Sequence, residues 1–374
     1  MATKLSLNAA VNHEELAKLL VNVGRTNTIV VTGEPGIGKS AILNMMGKYL
    51  PNHLPIYVDA PVFDIPDIYM PMVDITNTDA KGKSFPITRF APNELWHLHG
   101  GKPLLIMIDE LLKAAGPTKL ILTRLILERT LGDFKLPEGS IVFATSNNVS
   151  DGVGDSMAAH LQSRVGVVAL RKPNAKQWLN WAFDNNIAPE VCAWVRQFPH
   201  CMNSYTEVGA GKTDNPYIFD PVKTKGQAYV CPRSLAKASF IVNARQALGE
   251  NATKAALAGT IGAAAAADMA AFLNVADKLP AFESVLADPK RCPLPDSKKE
   301  VAALLIMMFG AAARASEDTI NKIVTYVERA PLEMQMLFMR ALTTKSANSW
   351  SHSAACVRDW HLTNKKYIVS DIDD

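Results

Sequence analysis

A glycine-rich turn after an apolar strand is the feature that most constrains the fold of this chain. Residues 33–40 read G-E-P-G-I-G-K-S and directly follow the β-branched run Thr28–Thr32. This is the P-loop arrangement, in which glycines let backbone N–H groups approach phosphate oxygens closely. We expect Lys39 to reach the β- and γ-phosphates and Ser40 to ligate Mg²⁺, while residues 41–50 open a helix whose N-terminus favours anions. The turn therefore predicts a nucleoside triphosphate site with these contacts: Gly33, Glu34, Pro35, Gly36, Ile37, Gly38, Lys39, Ser40 and Ala41.

Length and composition predict a soluble chain of two or three domains in a reducing cytoplasm. The chain has 374 residues, with 39 basic and 36 acidic side chains and a net charge of +3. This balance neither predicts nor excludes nucleic acid as a partner. The five cysteines include no C-x-x-C pair, which disfavours both a disulfide framework and a zinc site. The N-terminus lacks a signal-peptide layout, and the most apolar run, 301–313, is too short to span a bilayer and predicts a buried helix.

Residues 1–172 are expected to form an α/β core. Short apolar runs alternate with helical patterns, as in a parallel sheet that is covered on both faces. The candidate strands are Thr28–Thr32, Ile56–Asp59, Leu104–Asp109, Ile141–Thr145 and Val165–Leu170. Between residues 61 and 100 the chain is rich in Pro, Asp and Asn and has little periodicity. Such a long irregular insertion in a compact domain is more often functional than idle.

The rest of the chain predicts helices in two zones, 173–262 and 263–374. In the first zone, Pro232 suits the start of a helix, and a polar, glycine-rich loop spans residues 205–226. The second zone is expected to be helical throughout, and its methionine stripe near Met334 favours a core over a binding groove.

Two carboxylates end the apolar run of residues 104–110. Asp109 is expected to hold the Mg²⁺ shell, and Glu110 to orient or polarise the attacking water. A strand that ends in Asp-Glu is a weak signal alone and a strong one about 70 residues after a P-loop.

An amide stands at the tip of the next strand, where Ile141–Asn147 reads I-V-F-A-T-S-N. The Asn147 side chain is suited to contact both the γ-phosphate and the attacking water. Asn148 is the alternative for this role, although it also suits a cap on the following turn.

Four arginines are candidates for contact with the phosphates. Arg164 precedes the last strand and is expected to stabilise transition-state charge in a neighbouring subunit, with a surface ion pair as its alternative. Arg233 opens a helix of the second zone, from which it is expected to reach the γ-phosphate and couple lid movement to hydrolysis. Arg124 and Arg129 follow the Asp-Glu pair and are either a second trans-acting group or part of a solvated helix face.

The order of these motifs resembles that of the AAA+ ATPases. Finer segments are similar to the MoxR branch and its dynein-related bacterial and phage members, and they cover residues 67–74, 85–92, 127–139, 146–154, 188–199 and 231–235. Two departures stand out. MoxR proteins usually follow the Asp-Glu pair with Ile-Asn-Arg, where this chain has Leu111-Leu112-Lys113, and they usually place Pro where Asn148 stands.

The resemblance implies a P-loop AAA+ core with a five-stranded parallel sheet (1–172), a helical lid (173–262) and an all-α extension (263–374). It also implies a ring, usually a hexamer, with ATP and Mg²⁺ at each subunit interface, and an insert at 61–100 that faces the pore or a client. The leading hypothesis is an ATPase that remodels or activates a protein partner, such as one with a von Willebrand factor A domain. A nucleic-acid motor or loader, in which Lys81 and Lys83 contact phosphates, is one alternative. A nucleotide-switched scaffold is another, and GTP in place of ATP stays open.

Overall fold

The computed structural model describes residues 10–148, 159–224, 226–297, 300–301, 304, 308, 316–343 and 354–364. By internal contacts the chain divides into two compact units, Met1–Lys172 and Pro173–Asp374. In the described residues, no helix is both long and apolar enough to cross a bilayer.

The first unit alternates helices and strands. In chain order its elements are α1 (His13–Val23), β1 (Ile29–Gly33), α2 (Ala41–Tyr49), β2 (Leu54–Asp59), α3 (Ile65–Ile68), β3 (Tyr69–Asp74), β4 (Ile87–Pro92), β5 (Leu104–Asp109), α4 (Gly116–Glu128), β6 (Thr130–Leu131), β7 (Phe134–Lys135), β8 (Ile141–Asn147), α5 (Ala159–Gln162) and β9 (Gly166–Ala169). Single-turn 3-10 helices cover Glu94–Trp96, Leu98–Gly100 and Leu111–Lys113.

Five strands form one parallel sheet in the order β2-β5-β8-β1-β9. Every residue of β5 and β8 is buried, because helices cover both faces of a parallel sheet and its central strands become continuously apolar. The predicted α/β class with a five-stranded parallel sheet is therefore confirmed. Strand β8 ends at Asn147, as predicted for the amide at its tip, whereas β1 runs from Ile29 to Gly33 and β2 begins at Leu54, slightly off the predicted bounds.

Strand register brings the polar strand ends together. Gly33 of β1 lies opposite Asn147 of β8, and Asp59 of β2 lies opposite Asp109 of β5. The strands are parallel, so these carboxyl ends meet at one edge of the sheet, where open α/β sheets bind their ligands.

The insertion at 61–100 contains an antiparallel hairpin that its weak periodicity did not predict. Strands β3 and β4 pair from Tyr69↔Pro92 to Asp74↔Ile87. Their apolar side chains are largely exposed, including Met72 and Val73, so burial imposes no two-residue alternation on the sequence. At the base of the hairpin, the ring of Phe90 meets that of Tyr69 edge-on with centroids 4.9 Å apart.

The second unit is helical, as predicted for this part of the chain. Its helices are α6 (Ala175–Asp184), α7 (Pro189–Gln197), α8 (Pro232–Ile261), α9 (Ala263–Ala276), α10 (Phe282–Ala287), α11 (Glu317–Val327), α12 (Leu332–Thr343) and α13 (Ala355–Thr363). Helix α8 begins at Pro232, as its sequence predicted, and is interrupted at Gly249, whose φ is 75°. In the zone after residue 263, which was predicted to be all helical, residues 277–281 and 288–297 connect the helices.

Two apolar cores lie in this second unit. Trp194, Leu235 and Met269 belong to the core of α6–α9. Ile320, Phe338 and Trp360 belong to the core of the C-terminal helices, and Met334 packs against that core. Of the predicted buried helix at 301–313, the structure describes residues 301, 304 and 308, which are helical and buried; its other residues lie outside the described ones.

Arg129 has a structural position that neither sequence interpretation anticipated. It ends α4 with a left-handed φ of 58°, which turns its side chain back into the first unit. The guanidinium donates to the carbonyl oxygens of Gly24 (3.0 Å) and Val142 (3.4 Å), and burial lowers the pKa of Arg129 to about 10. Arg129 therefore links the end of α1 to the central strand β8, and the expectation of a solvated helix face is wrong for it. Arg124 is exposed and pairs with Glu128 at 2.7 Å.

Arg129→Met is expected to destabilise the first unit by about 1–3 kcal/mol, because two carbonyl groups lose a charged donor. Urea unfolding followed by circular dichroism measures the change. Arg124→Met is the matched control and is expected to change the free energy of unfolding by less than about 1 kcal/mol, since it breaks only an exposed ion pair. Equal effects of the two substitutions would show that the Arg129 contacts do not stabilise the fold.

Candidate functional site

The P-loop lysine is held at the carboxyl edge of the sheet by three acceptors. Lys39 is 7% exposed, and its Nζ donates to the carbonyls of Gly33 (2.7 Å) and Glu34 (2.9 Å) and to Asn147 Oδ1 (2.9 Å). A buried ammonium needs such partners, because desolvation without them is costly. The side chain of Lys39 therefore connects the loop after β1 to the tip of β8.

Glycine is required in this loop for two different reasons. Gly36 and Gly38 have φ values of 79° and 99°, which L side chains rarely adopt. At Gly33 the constraint is space, because a Cβ there would lie 2.7 Å from Ile37 Cδ1 and 3.0 Å from the Leu170 carbonyl oxygen. Ala41 is the first residue of α2, so this helix begins directly after the loop.

A histidine that the sequence analysis missed supports the loop from α1. His13 Nε2 donates to the carbonyl of Ile37 at 3.1 Å, and a Cβ at Gly38 would lie 3.1 Å from the same nitrogen. Burial lowers the pKa of His13, which favours the neutral ring. His13 thus packs against the loop as an uncharged hydrogen-bond donor.

Asp109 accepts hydrogen bonds from three hydroxyl groups. Ser40 Oγ and Tyr57 OH both donate to its Oδ2 at 2.9 Å, while Thr145 Oγ1 donates to its Oδ1. Each of the three hydroxyl groups acts as the donor and the carboxylate oxygens as acceptors. The donors come from α2's N-terminal turn, β2 and β8, which fixes the carboxylate between three elements.

Glu110 leaves the sheet in an unusual backbone conformation. Its φ and ψ of 52° and 39° are left-handed, and its N–H donates to Thr145 Oγ1 at 3.3 Å. The carboxylate contacts Lys113 Nζ through Oε2 (2.6 Å), and Oε1 lies 3.5 Å from Asn147 Nδ2. The Asn147 amide therefore contacts Lys39 through its oxygen and Glu110 through its nitrogen.

The structure brings together five of the predicted site residues: Lys39, Ser40, Asp109, Glu110 and Asn147. Of the two candidate amides, Asn147 accepts a hydrogen bond from Lys39 at 2.9 Å. Arg164 lies between α5 and β9 and is exposed, with no ion pair to the described residues. Arg233 is the second residue of α8, in the second unit. The roles of both arginines stay predictions.

Three more side chains join the site without having been predicted, namely Tyr57, Thr145 and Lys113. Thr145 left a signal, because it lies two positions before Asn147 on a strand and such positions share a face. The sequence gives no comparable signal for Tyr57, since an exposed tyrosine between the buried residues Ile56 and Val58 is typical of an edge strand.

The donor set fits magnesium. The Ser40 hydroxyl and the Asp109 carboxylate are hard oxygen donors and lie in direct contact. Mg²⁺ is usually held by one or two carboxylates together with substrate phosphates and water. Ser40 and Asp109 are therefore the residues that would hold Mg²⁺ beside a bound triphosphate.

Comparisons with known proteins place the described site in a family. The model of the KAP family P-loop domain matches residues 10–226. No curated protein matches the chain.

Several solved structures are similar to the chain at low identity. The RuvB Holliday junction branch migration motor of Thermotoga maritima aligns over 91% of this chain and 92% of its own, at 13% identity and a TM-score of 0.34. NtrX from Brucella abortus, solved with ADP, aligns over 87% of this chain and 65% of its own, at 13% identity and a TM-score of 0.30. An ATPase candidate from Cytophaga hutchinsonii aligns over 43% of this chain and 47% of its own, at 19% identity and a TM-score of 0.28. This chain thus spans about half the length of that last relative.

The TM-scores are low, so the assignment depends on the family match. That match covers more than half of the chain and includes the P-loop, Asp109, Glu110 and Asn147. The chain therefore belongs to the KAP family of P-loop NTPases.

Proposed function

We propose that this protein is a Mg²⁺-dependent ATPase of the AAA+ type, with a MoxR-like organisation. The observation that carries the proposal is the continuous set of contacts from Lys39 through Asn147 to Glu110, beside the Ser40–Asp109 pair. It joins a phosphate-binding cation, a metal-binding pair and a candidate base within one edge of a sheet. Membership of the P-loop NTPase family supports nucleotide hydrolysis as the activity.

Phosphate binding is assigned to the P-loop and Lys39. The backbone N–H groups of the loop and the N-terminus of α2 favour an anion, and the ammonium of Lys39 adds a positive charge. Mg²⁺, when held by Ser40 and Asp109, would neutralise charge that develops on the phosphates.

Hydrolysis is assigned to Glu110 and Asn147. Glu110 accepts a proton from water as the water oxygen attacks the γ-phosphorus, and the bond to the β,γ-bridging oxygen breaks, which leaves ADP and phosphate. Asn147 is proposed to orient that water, and the 3.5 Å distance between its amide nitrogen and Glu110 Oε1 supports this role. The distance between amide and carboxylate suits two groups that contact one small molecule.

The proposal extends to a ring in which Arg164 of one subunit completes the site of the next. Its support is the exposure of Arg164 and its lack of an ion pair within the described part of the chain. Arg233 is proposed to contact the γ-phosphate from the second unit. A ring of this kind, a hexamer in the MoxR resemblance, would couple ATP hydrolysis to the remodelling of a protein client. A protein with a von Willebrand factor A domain is the proposed partner.

Glu110→Gln is expected to bind ATP normally and to lower kcat by about 10²–10⁴-fold, the usual contribution of a general base. Lys39→Ala is expected to weaken binding by roughly tenfold or more, because a charged hydrogen bond is lost. Fluorescent-nucleotide binding and phosphate release measure the two effects separately. Glu128→Gln, which changes an exposed carboxylate of α4, is the control and should leave both unchanged. Turnover of Glu110→Gln at the wild-type rate would refute the assigned base.

Thr145→Val is expected to lower kcat by about 10–100-fold, because one hydroxyl orients both Asp109 and Glu110 and small misplacements of catalytic groups are costly. Thr145→Ser keeps the hydroxyl and should retain most of the rate. The Mg²⁺ concentration that gives half-maximal activity should rise in Thr145→Val alone. If serine and valine reduce the rate equally, the hydroxyl is not what matters at this position.

Arg164→Ala is expected to assemble and to lose about 10³-fold in kcat, as removal of an arginine finger does. The sharper test mixes this variant with Lys39→Ala. An interface that takes its P-loop from an Arg164→Ala subunit and its arginine from a Lys39→Ala subunit is intact, whereas the reverse order carries both defects. Part of the ATPase activity should therefore reappear in the mixture. Phosphate release across mixing ratios is the measurement. A mixture as inactive as its components, or an active Arg164→Ala protein, would exclude a site shared between subunits.

A further inference from the structure

The turn after the Asp-Glu pair is fixed by the core, although its sequence departs from the MoxR pattern. Leu111 and Leu112 are 0% and 7% exposed and belong to the apolar core below the sheet, together with Val58 and Trp96. They form the 3-10 helix Leu111–Lys113, whose path is therefore set by packing rather than by contact with solvent. The third residue of this turn, Lys113, has a defined position relative to Glu110.

Lys113 lies beside the carboxylate of Glu110. The left-handed backbone of Glu110 reverses the chain, and the N–H of Lys113 donates to the Glu110 carbonyl at 2.8 Å. The Lys113 ammonium then reaches Glu110 Oε2 at 2.6 Å. The N–H of Glu110 is held in turn by Thr145, so main chain and side chain are both restrained.

The two oxygens of Glu110 consequently have different surroundings. Oε2 is occupied by Lys113, while Oε1 faces Asn147 Nδ2 at 3.5 Å. Without a partner on Oε2, the carboxylate can rotate about its terminal bonds, whose torsional preference is broad. The ion pair thus favours the orientation of the Glu110 carboxylate in which Oε1 faces the Asn147 amide.

We propose that Lys113 is a positioning residue for Glu110 in ATP hydrolysis. The inference rests on the proposed function, in which Glu110 accepts the proton of the attacking water. Lys113 holds one carboxylate oxygen so that the other stays beside Asn147, and it does not itself contact the nucleotide.

A simple surface ion pair is the competing explanation, and it makes a different prediction. Each side chain of the pair is about one third exposed, at 32% and 34%. Exposed pairs contribute little to stability, so loss of Lys113 should hardly change the melting temperature under either explanation. Only a positioning residue changes the rate of the chemical step.

The test compares Lys113→Met, Lys113→Gln and Lys113→Arg with the wild-type protein. The two uncharged variants are expected to lower kcat roughly five- to tenfold, a fraction of what loss of the base itself removes. KM for ATP, fluorescent-nucleotide affinity and melting temperature should stay the same, and Lys113→Arg should restore most of the rate. Lys48→Met is the control, because Lys48 is an exposed lysine of α2 with no ion pair in the described structure. Unchanged or increased kcat in both uncharged variants would overturn the proposal.

A double substitution separates this inference from the function on which it rests. Lys113 acts through Glu110, so Lys113→Met should have no further effect on the residual rate of Glu110→Gln. An additional fall of similar size in that background would overturn the positioning role. Wild-type turnover in Glu110→Gln would show that the proposed base is wrong. Reduced turnover in Glu110→Gln with wild-type turnover in the Lys113 variants would refute only the positioning role.

Discussion

The site depends on the parallel pairing of β1, β8 and β5 in one fixed register. Pairing places Gly33 opposite Asn147, so the P-loop and the tip of β8 start from adjacent positions. A shift of one residue would turn Asn147 to the other face of the sheet, because side chains alternate along a strand. Lys39 then closes the gap, since its ammonium contacts both the loop carbonyls and the Asn147 amide. Backbone pairing thus fixes the positions from which Lys39 and Asn147 make their contact.

Three hydroxyl groups fix the acidic residues that follow β5. Thr145 donates to Asp109 and accepts from the Glu110 N–H, so one buried side chain orients the two consecutive acidic residues differently. Ser40 and Tyr57 hold the second oxygen of Asp109. A carboxylate that accepts hydrogen bonds from three hydroxyl groups on different elements is held in one orientation. Asp109 and Glu110 are therefore linked to each other through Thr145 of β8.

Local patterns were sufficient to predict the parallel sheet, the P-loop and the strand ends that carry Asp109 and Asn147. Those features need only an apolar run, a glycine turn and a polar residue at a strand tip. The hairpin β3–β4 was missed because its exposed apolar residues create no burial period. Arg129 was misread because its direction depends on a left-handed helix end and on carbonyls more than ten residues away in sequence. Side-chain direction, unlike strand identity, is a property of the assembled unit.

Glu110 shows the same limit at the centre of the site. A left-handed backbone is unfavourable for a residue with a side chain, and nothing in D-E-L-L-K requires it. Burial of Leu111 and Leu112 below the sheet, together with the Thr145 hydroxyl above, imposes it. Strain of this kind persists where surrounding packing over-determines it, and it is concentrated at functional sites. The core therefore influences the site directly, since the leucines that are buried in this turn also set where the Glu110 carboxylate can lie.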